Sequence, residues 1–278
     1  MSDVTVIIVA YNSAVVLGEA IASVPDGVPV IVVDNASADD TAQVARAAGA
    51  IVIDAGYNLG FGAGCNLGAA HATTEFLLFL NPDARLGAAT IDVLRSDLTE
   101  NPKAGATGPL LVDGEGTAEI PRAVTLLDNA PAMMKTVPSA PTETGFLSGA
   151  AFLIRRATFQ QIGGFDEAIF LYLEDDDLCL RLRRAGHTLR LVPEARGIHH
   201  QATSSPPSRR SLWLRNHHTM ASHVYLAAKH GLIVDFDQMR RKARQRLVTA
   251  WLKADMDRVA INRGRISGLK AGGPGRLN

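Results

Sequence analysis

The chain has 278 residues, 47% of them hydrophobic, with 28 Lys and Arg balanced by 28 Asp and Glu. That size and apolar content predict a globular protein with a real core, one large α/β domain or two small ones, and no apolar run reaches the ~18–20 residues that a membrane-spanning helix needs. Cys65 and Cys179 lie in unrelated segments, which excludes a disulfide framework or a cysteine metal site; with no basic stretch ahead of an apolar one at Met1-Ser2-Asp3-Val4, a reducing cytoplasm is the expected compartment.

Val4–Ala10 is a β-branched apolar run and reads as a strand buried on both faces, as in a parallel sheet. A helix is expected over Ala14–Val24, a second buried strand at Val30–Val33, and a helix from about Ala38 to Ala48 with Ser37 as its N-cap. Ala50–Asp54 reads as a third strand and Phe76–Leu80 as a fourth, with a helix over Ala88–Glu100. Alternation at this spacing predicts an α/β fold, a Rossmann-like, mostly parallel sheet flanked by helices. Ligands of such sheets bind beyond the carboxyl ends of the strands, so Asn12, Asp34, Asn58 and Asp83, each just past a strand end, are expected to line one crevice. The glycine-rich run Gly56–Gly68 allows close backbone approach to a ligand, or else a tight turn into a closely packed helix. It lacks the G-x-G-x-x-G spacing and follows the third strand rather than the first, which counts against a nicotinamide oxidoreductase.

Further on, Asp113–Thr144 reads as loops with a short helix near Leu126–Met134, Gly145–Ile154 as a strand beginning with small residues, and Thr188–Val192 as another strand that leads to His199-His200. Four consecutive carboxylates, Glu174, Asp175, Asp176 and Asp177, stand ahead of an expected helix containing Leu178 and Leu182. Acidic side chains are favoured at a helix N-terminus; one held in a pocket can instead serve as a general base. Asp176 reads as a solvated first-turn residue, and Asp177 as support for the helix or for Arg181 one turn on. Residues 1–200 carry 13 Lys and Arg against 24 Asp and Glu, whereas residues 201–278 carry 15 against 4. The basic end either packs on the acidic body or meets anionic lipid or a phosphate-bearing substrate. Over Gln238–Leu252, Met239, Ala243, Leu247 and Trp251 are expected on one face of a basic amphipathic helix, which suits core packing or a membrane surface. Gly268–Asn278 reads as a frayed tail.

In order along the chain stand Val6-Ile-Ile-Val-Ala-Tyr-Asn12, Val33-Asp34-Asn35-Ala-Ser37, Asn58-Leu-Gly-Phe61-Gly-Ala-Gly64-Cys-Asn66, Leu80-Asn81-Pro82-Asp83, Gly164-Phe165-Asp166-Glu167 and Glu174-Asp175-Asp176-Asp177-Leu178. Each motif alone is weak. The ordered set, over about Val4–Ser205, resembles a family 2 glycosyltransferase of the rhamnosyltransferase-like branch. The resemblance implies a GT-A fold and inverting transfer from a nucleotide diphosphate sugar, dTDP-L-rhamnose foremost, to a lipid-linked saccharide or cell-surface polysaccharide. It implies a nucleotide-sugar-binding half at 1–112, an acceptor and base half at 113–205, and a basic helical extension at 206–278.

Carried over by position, Ala10, Tyr11 and Asn12 would lie near the nucleotide and Asp34 would bind base or ribose. Asn58, Gly60, Phe61 and Asn66 would wall the sugar and diphosphate pocket. Asn81 and Asp83 take the first and last places of the family's D-x-D element, leaving one strong carboxylate for Mg²⁺ or Mn²⁺. His199 or His200 would join Asp83, with His199, which directly follows its strand, preferred. Asp175 would be the base and Glu174 its neighbour. Trp213-Leu-Arg215-Asn216 and Lys229-His230-Gly231 also resemble the branch. The competing readings are a UDP-hexose donor and a catalytically idle nucleotide-sugar-binding protein. Nucleic acid is not an expected partner; peripheral membrane contact through 238–252 stands as the alternative to core packing of that helix.

Overall fold

The computed structural model describes residues 2–119, 136–200 and 208–271. The expected helix near Leu126–Met134 lies outside them. In chain order the elements are β1 (Val4–Ala10), α1 (Ala14–Ala22), β2 (Val30–Asp34), α2 (Thr41–Ala47), β3 (Ile51–Asp54), α3 (Phe61–His71), β4 (Phe76–Leu80), β5 (Ala84–Leu86), α4 (Thr90–Glu100), β6 (Ala104–Val112), β7 (Thr142–Thr144), β8 (Ala151–Arg155), α5 (Arg156–Gln161), α6 (Glu174–Arg184), β9 (Thr188–His199), α7 (Arg209–His230), α8 (Phe236–Leu252) and α9 (Met256–Ala271). They fall into two compact units. The first holds Met1–Leu59, Ala63–Phe165 and Asp175–Ser205; the second holds Gly60–Gly62, Asp166–Glu174 and Pro206–Asn278.

The first unit is built on one sheet with strand order β3-β2-β1-β4-β8-β6-β9-β5, and β7 pairs with β9. Strands β3, β2, β1 and β4 run parallel, in register Val6 to Val30, Ile31 to Ile51 and Val4 to Phe76. Every residue of β1 and β4 is buried, as their unbroken apolar runs require. Beyond β4 the sheet turns mixed: β8 is antiparallel to both β4 and β6, and β6 is parallel to β9. Phe79 on β4 packs against Phe152, Phe159 and Phe165 with ring centroids 5.1–5.4 Å apart. The glycines of α3 serve this packing. A Cβ at Gly64 would come within 2.8 Å of Val9, and one at Gly68 within 2.6 Å of Ile7, so the helix lies against β1 at a separation only glycine permits.

Two local expectations are corrected. Ser37 is not an N-cap; α2 begins at Thr41 with Asp40 before it, and the Ser37 hydroxyl accepts from the Asn12 backbone N–H at 2.9 Å. The strand expected over Gly145–Ile154 starts only at Ala151.

In the second unit α7 opens with a reciprocal Ser208–Ser211 capping box and closes on Gly231 in the left-handed region. Glycines 264 and 268 of α9 meet the Trp213 and His217 carbonyls of α7, at Cβ positions 2.4 and 2.2 Å away, so a side chain there would force the helices apart. The loop Asp166–Glu174 is tied to α7: Tyr225 Oη and Lys229 Nζ donate to Asp166 at 2.8 and 2.7 Å, and Ser222 Oγ to the Leu171 carbonyl at 3.2 Å.

Buried in α7, His217 stacks on Trp213 and His218 lies against Phe170. Burial, with His217 beside it, pushes the His218 pKa down to about 4. The unfolded chain therefore binds a proton that the folded one refuses between about pH 6.5 and 4. Stability is full above that window and falls as the pH drops through it. Melting temperatures of His218→Gln are expected to show a shallower acid slope than wild type; an unchanged slope would assign the acid sensitivity elsewhere.

On α8 the expected apolar row is only partly inward. Ala243 and Ala250 are buried, but Trp251 is 54% exposed. Steps of four residues advance about 40° further than one full turn, so Trp251 stands roughly 120° round the helix from Met239. Val248 and Leu252 are exposed with it.

Candidate functional site

Parallel pairing brings the carboxyl ends of β1, β2, β3 and β4 to one sheet edge. There Ala10 is fully buried, and its carbonyl accepts from Asn35 N at 2.8 Å. Tyr11 is half exposed. Asn12 adopts φ 50°, a left-handed turn that aims its side chain across to the next crossover, where Oδ1 accepts from Ala38 N at 2.8 Å. Asp34 is buried, with Oδ1 taking the Ser37 N–H at 3.1 Å.

Asn35 links this corner to the glycine-rich run: its Nδ2 donates to Asn58 Oδ1 at 3.1 Å, and its Oδ1 accepts from Leu59 N at 2.8 Å. Asn12 and Asp34 are thus joined through the turn at Ser37 and Ala38, and Asn58 is held by Asn35; no hydrogen bond of this set reaches Asp83, the fourth residue expected in the crevice. Asn35 is part of one sequence motif, but its bracing of the Asn58 loop has no local signal in the sequence. Asn66 engages the Phe165 backbone: its Nδ2 donates to the Phe165 carbonyl and its Oδ1 accepts from the Phe165 N–H, both at 2.9 Å.

At the end of β4, Asn81 N donates to the Ala150 carbonyl at 2.8 Å, and Asp83 is buried. Strand β5 pairs antiparallel with β9, with Ala84 opposite His199, which sets His199 beside Asp83. His199 Nε2 lies 3.5 Å from Asp83 Oδ1, and His199 Nδ1 lies 3.1 Å from Glu119 Oε1. Burial disfavours the imidazolium, but hydrogen bonding and charge from the two carboxylates outweigh it and raise the His199 pKa to about 9. His200 reaches Asp83 through its backbone instead, its N–H donating to the Asp83 carbonyl at 3.0 Å. Its ring lines a cavity of about 220 Å³ with Val16, Pro82, Asp83 and Arg85. Glu119 belongs to no sequence motif.

The four carboxylates divide in an unexpected way. Glu174, Asp176 and Asp177 are all buried, which corrects the solvated reading of Asp176; Asp175 alone keeps partial exposure. Asp177 pairs with Arg181 at 2.7 Å, as its spacing predicts. Asp175 Oδ2 accepts from Gly149 N and Oδ1 from Asp176 N, each at 3.0 Å. The small residues before β8 therefore hold the carboxylate by a main-chain donor that requires no side chain.

In the second unit Gly60 has φ +88°, and a Cβ there would sit 2.1 Å from the Phe170 carbonyl. Phe61 N donates to that same carbonyl at 3.2 Å. Tyr172 and Leu173, just before Glu174, both adopt left-handed φ near 70°. The Arg215 guanidinium lies over the Tyr172 ring, 5.6 Å from its centroid.

A parallel sheet edge lined by asparagine and aspartate is continued by an antiparallel half that brings a histidine to Asp83, and the solved structures that align with this arrangement have the GT-A fold. The Glycosyl transferase family 2 pattern matches residues 5–163, and one described as the N-terminal domain of galactosyltransferase matches 138–203. The N-acetylglucosaminyl-diphospho-decaprenol L-rhamnosyltransferase of Mycobacterium tuberculosis (strain ATCC 25618 / H37Rv) is 33% identical over 235 residues, covering 73% of this chain and 76% of that protein. Among solved structures, a mannosyltransferase from Pyrobaculum calidifontis in complex with GDP-Man and Mn²⁺ aligns with TM-score 0.61 at 15% identity, over 97% of this chain and 87% of that one. GalNAc-T7 with UDP, GalNAc and Mn²⁺ aligns with TM-score 0.58 at 17% identity, over 79% and 50%. The chain belongs to the family 2 glycosyltransferases, in the company of rhamnosyltransferases, and is an enzyme of that class.

Proposed function

We propose that this chain moves a sugar, L-rhamnose from dTDP-L-rhamnose foremost, onto a hydroxyl of a lipid-linked saccharide in cell-envelope polysaccharide synthesis, with inversion at the anomeric carbon. The observation that carries the reading is Asp175, the one part-exposed carboxylate of four, fixed by the Gly149 N–H. Rhamnose and the lipid-linked acceptor are supported by the name of the mycobacterial relative. Nucleotide contact is assigned to Ala10, Tyr11, Asn12 and Asp34, and the sugar and diphosphate to Asn58, Gly60 and Phe61. The acceptor hydroxyl gives its proton to Asp175 as its oxygen attacks the anomeric carbon, and the bond from that carbon to the diphosphate oxygen breaks on the opposite face. Glu174 is assigned as the neighbour of the base in sequence. Asn66, engaged by Phe165, is assigned to holding the fold.

The residues present suit a divalent cation. Among the described residues no cluster of three or more His, Cys, Asp or Glu forms a self-contained cage. A hard cation that shares a diphosphate needs only one or two protein carboxylates, and Asp83 with His199 Nε2 offers a buried oxygen and a nitrogen facing it. Such a cation, when bound, neutralises charge on the departing diphosphate.

The test is a donor panel with purified protein, Mn²⁺ or Mg²⁺ and a lipid-linked N-acetylglucosamine acceptor, scoring nucleotide diphosphate release. Turnover with dTDP-L-rhamnose above all UDP-hexoses is the expected result. Preference for a UDP-hexose would move the donor to the second reading, which the UDP held by GalNAc-T7 favours. Donor binding without any turnover would leave only a binding protein.

No helix among the described residues is long and apolar enough to cross a membrane. The outward face of α8 nevertheless combines Val248, Trp251 and Leu252 with Arg241 and Arg244, a composition that suits the surface of an anionic bilayer. Wild-type protein is expected to float with vesicles rich in anionic lipid, and Trp251→Ala/Leu252→Ala to float several-fold less. Equal flotation would remove membrane contact from the reading.

A further inference from the structure

Glu119 sits where a short turn returns the chain to β6. Asp113 Oδ1 accepts from Glu115 N and Thr117 N at 2.9 and 2.8 Å, the Val112–Ala118 bridge closes the turn, and Glu119 N donates to the Leu111 carbonyl at 2.8 Å. The carboxylate then meets His199 Nδ1 with both oxygens, at 3.1 and 3.4 Å. The opposite ring nitrogen faces Asp83 Oδ1 at 3.5 Å. We propose that Glu119 is a positioning residue: by accepting from Nδ1 it holds the ring with Nε2 turned toward Asp83, so that a divalent cation that displaces the Nε2 proton to solvent can bind both.

A neutral imidazole has one N–H and one lone pair, and the partner of one nitrogen decides the state of the other. A carboxylate partner also fixes the ring plane and raises the basicity of the ligating nitrogen. Without it the ring is free to turn, and Nε2 need not face Asp83. The proposal rests on the assignment of the cation to Asp83 and His199.

The experiment is Mn²⁺ binding to the full chain in the presence of a nucleoside diphosphate, read by the electron paramagnetic resonance signal of free Mn²⁺. Glu119→Leu is expected to weaken binding by about 10–100-fold, and Glu119→Gln, whose amide oxygen still accepts from Nδ1, to recover most of the loss. Adding Glu119→Leu to His199→Ala should cause no further loss, because the two act through one ring. Should Glu119→Leu not fold, Glu119→Ala replaces it. If truncated Glu119 binds Mn²⁺ as wild type does while His199→Ala is weakened, the positioning role is overturned. If His199→Ala also binds normally, the cation assignment itself falls.

Discussion

Asp175→Asn is expected to lower kcat by about 10²–10⁴-fold, the range of a lost general base, while nucleotide-sugar affinity stays near that of wild type. The amide oxygen of asparagine can still accept from Gly149 N and Asp176 N, so the loop and the start of α6 should keep their form. What disappears is the capacity to take the acceptor proton. Neighbouring buried carboxylates are poor substitutes. Asp177 is held by Arg181 within its own helix, and Asp176 is buried. Single-turnover rates beside equilibrium donor binding separate the two effects. A variant that binds donor and turns over at the wild-type rate would remove the base from Asp175 altogether.

Asp83→Asn should be nearly as damaging, with kcat/KM down by about 10²–10³-fold, the scale on which removal of one preorganised charge-stabilising group is felt. Here the loss should appear also in binding, with weaker Mn²⁺-dependent retention of the nucleotide diphosphate product. That signature differs from the one at Asp175, which spares binding. In the cation-free protein the substitution also removes one of the two carboxylates that raise the His199 pKa to about 9, so that pKa should fall. Product binding titrated with Mn²⁺ in both variants provides the comparison; identical profiles would mean that the two aspartates do not divide the work in this way.

Much of this was legible in the chain, for a physical reason. Strands buried on both faces leave unbroken apolar runs, so Val4–Ala10 and Phe76–Leu80 read true to the residue. Strand-end polar residues then follow from the topology of parallel sheets. The antiparallel half was less readable. Strand β6 contains Gly105, Gly108 and Pro109, residues that ordinarily argue against a strand, and its register slips at Pro109. The glycines of α3 read first as a ligand cradle and second as helix packing, and the nearness of Ile7 and Val9 decides for packing at Gly64 and Gly68. Glu119 and His199 are 80 residues apart. No periodicity reports such a pair, because it depends on how a turn and a strand pairing fall together. The burial of Asp176 is of the same kind: position on a helix can be inferred, but not what packs over it.

The second unit has a bearing on how the chain can be shortened. Its basic helices look detachable in the primary sequence, and a cut near residue 205 would seem to release a catalytic core. Yet Ser222, Tyr225 and Lys229 of α7 are the moorings of the loop Asp166–Leu171, whose Phe170 carbonyl in turn receives the N–H of Phe61. A shortened chain would keep both loops and lose what fastens them. Anyone trimming this enzyme for crystallisation or fusion should preserve α7.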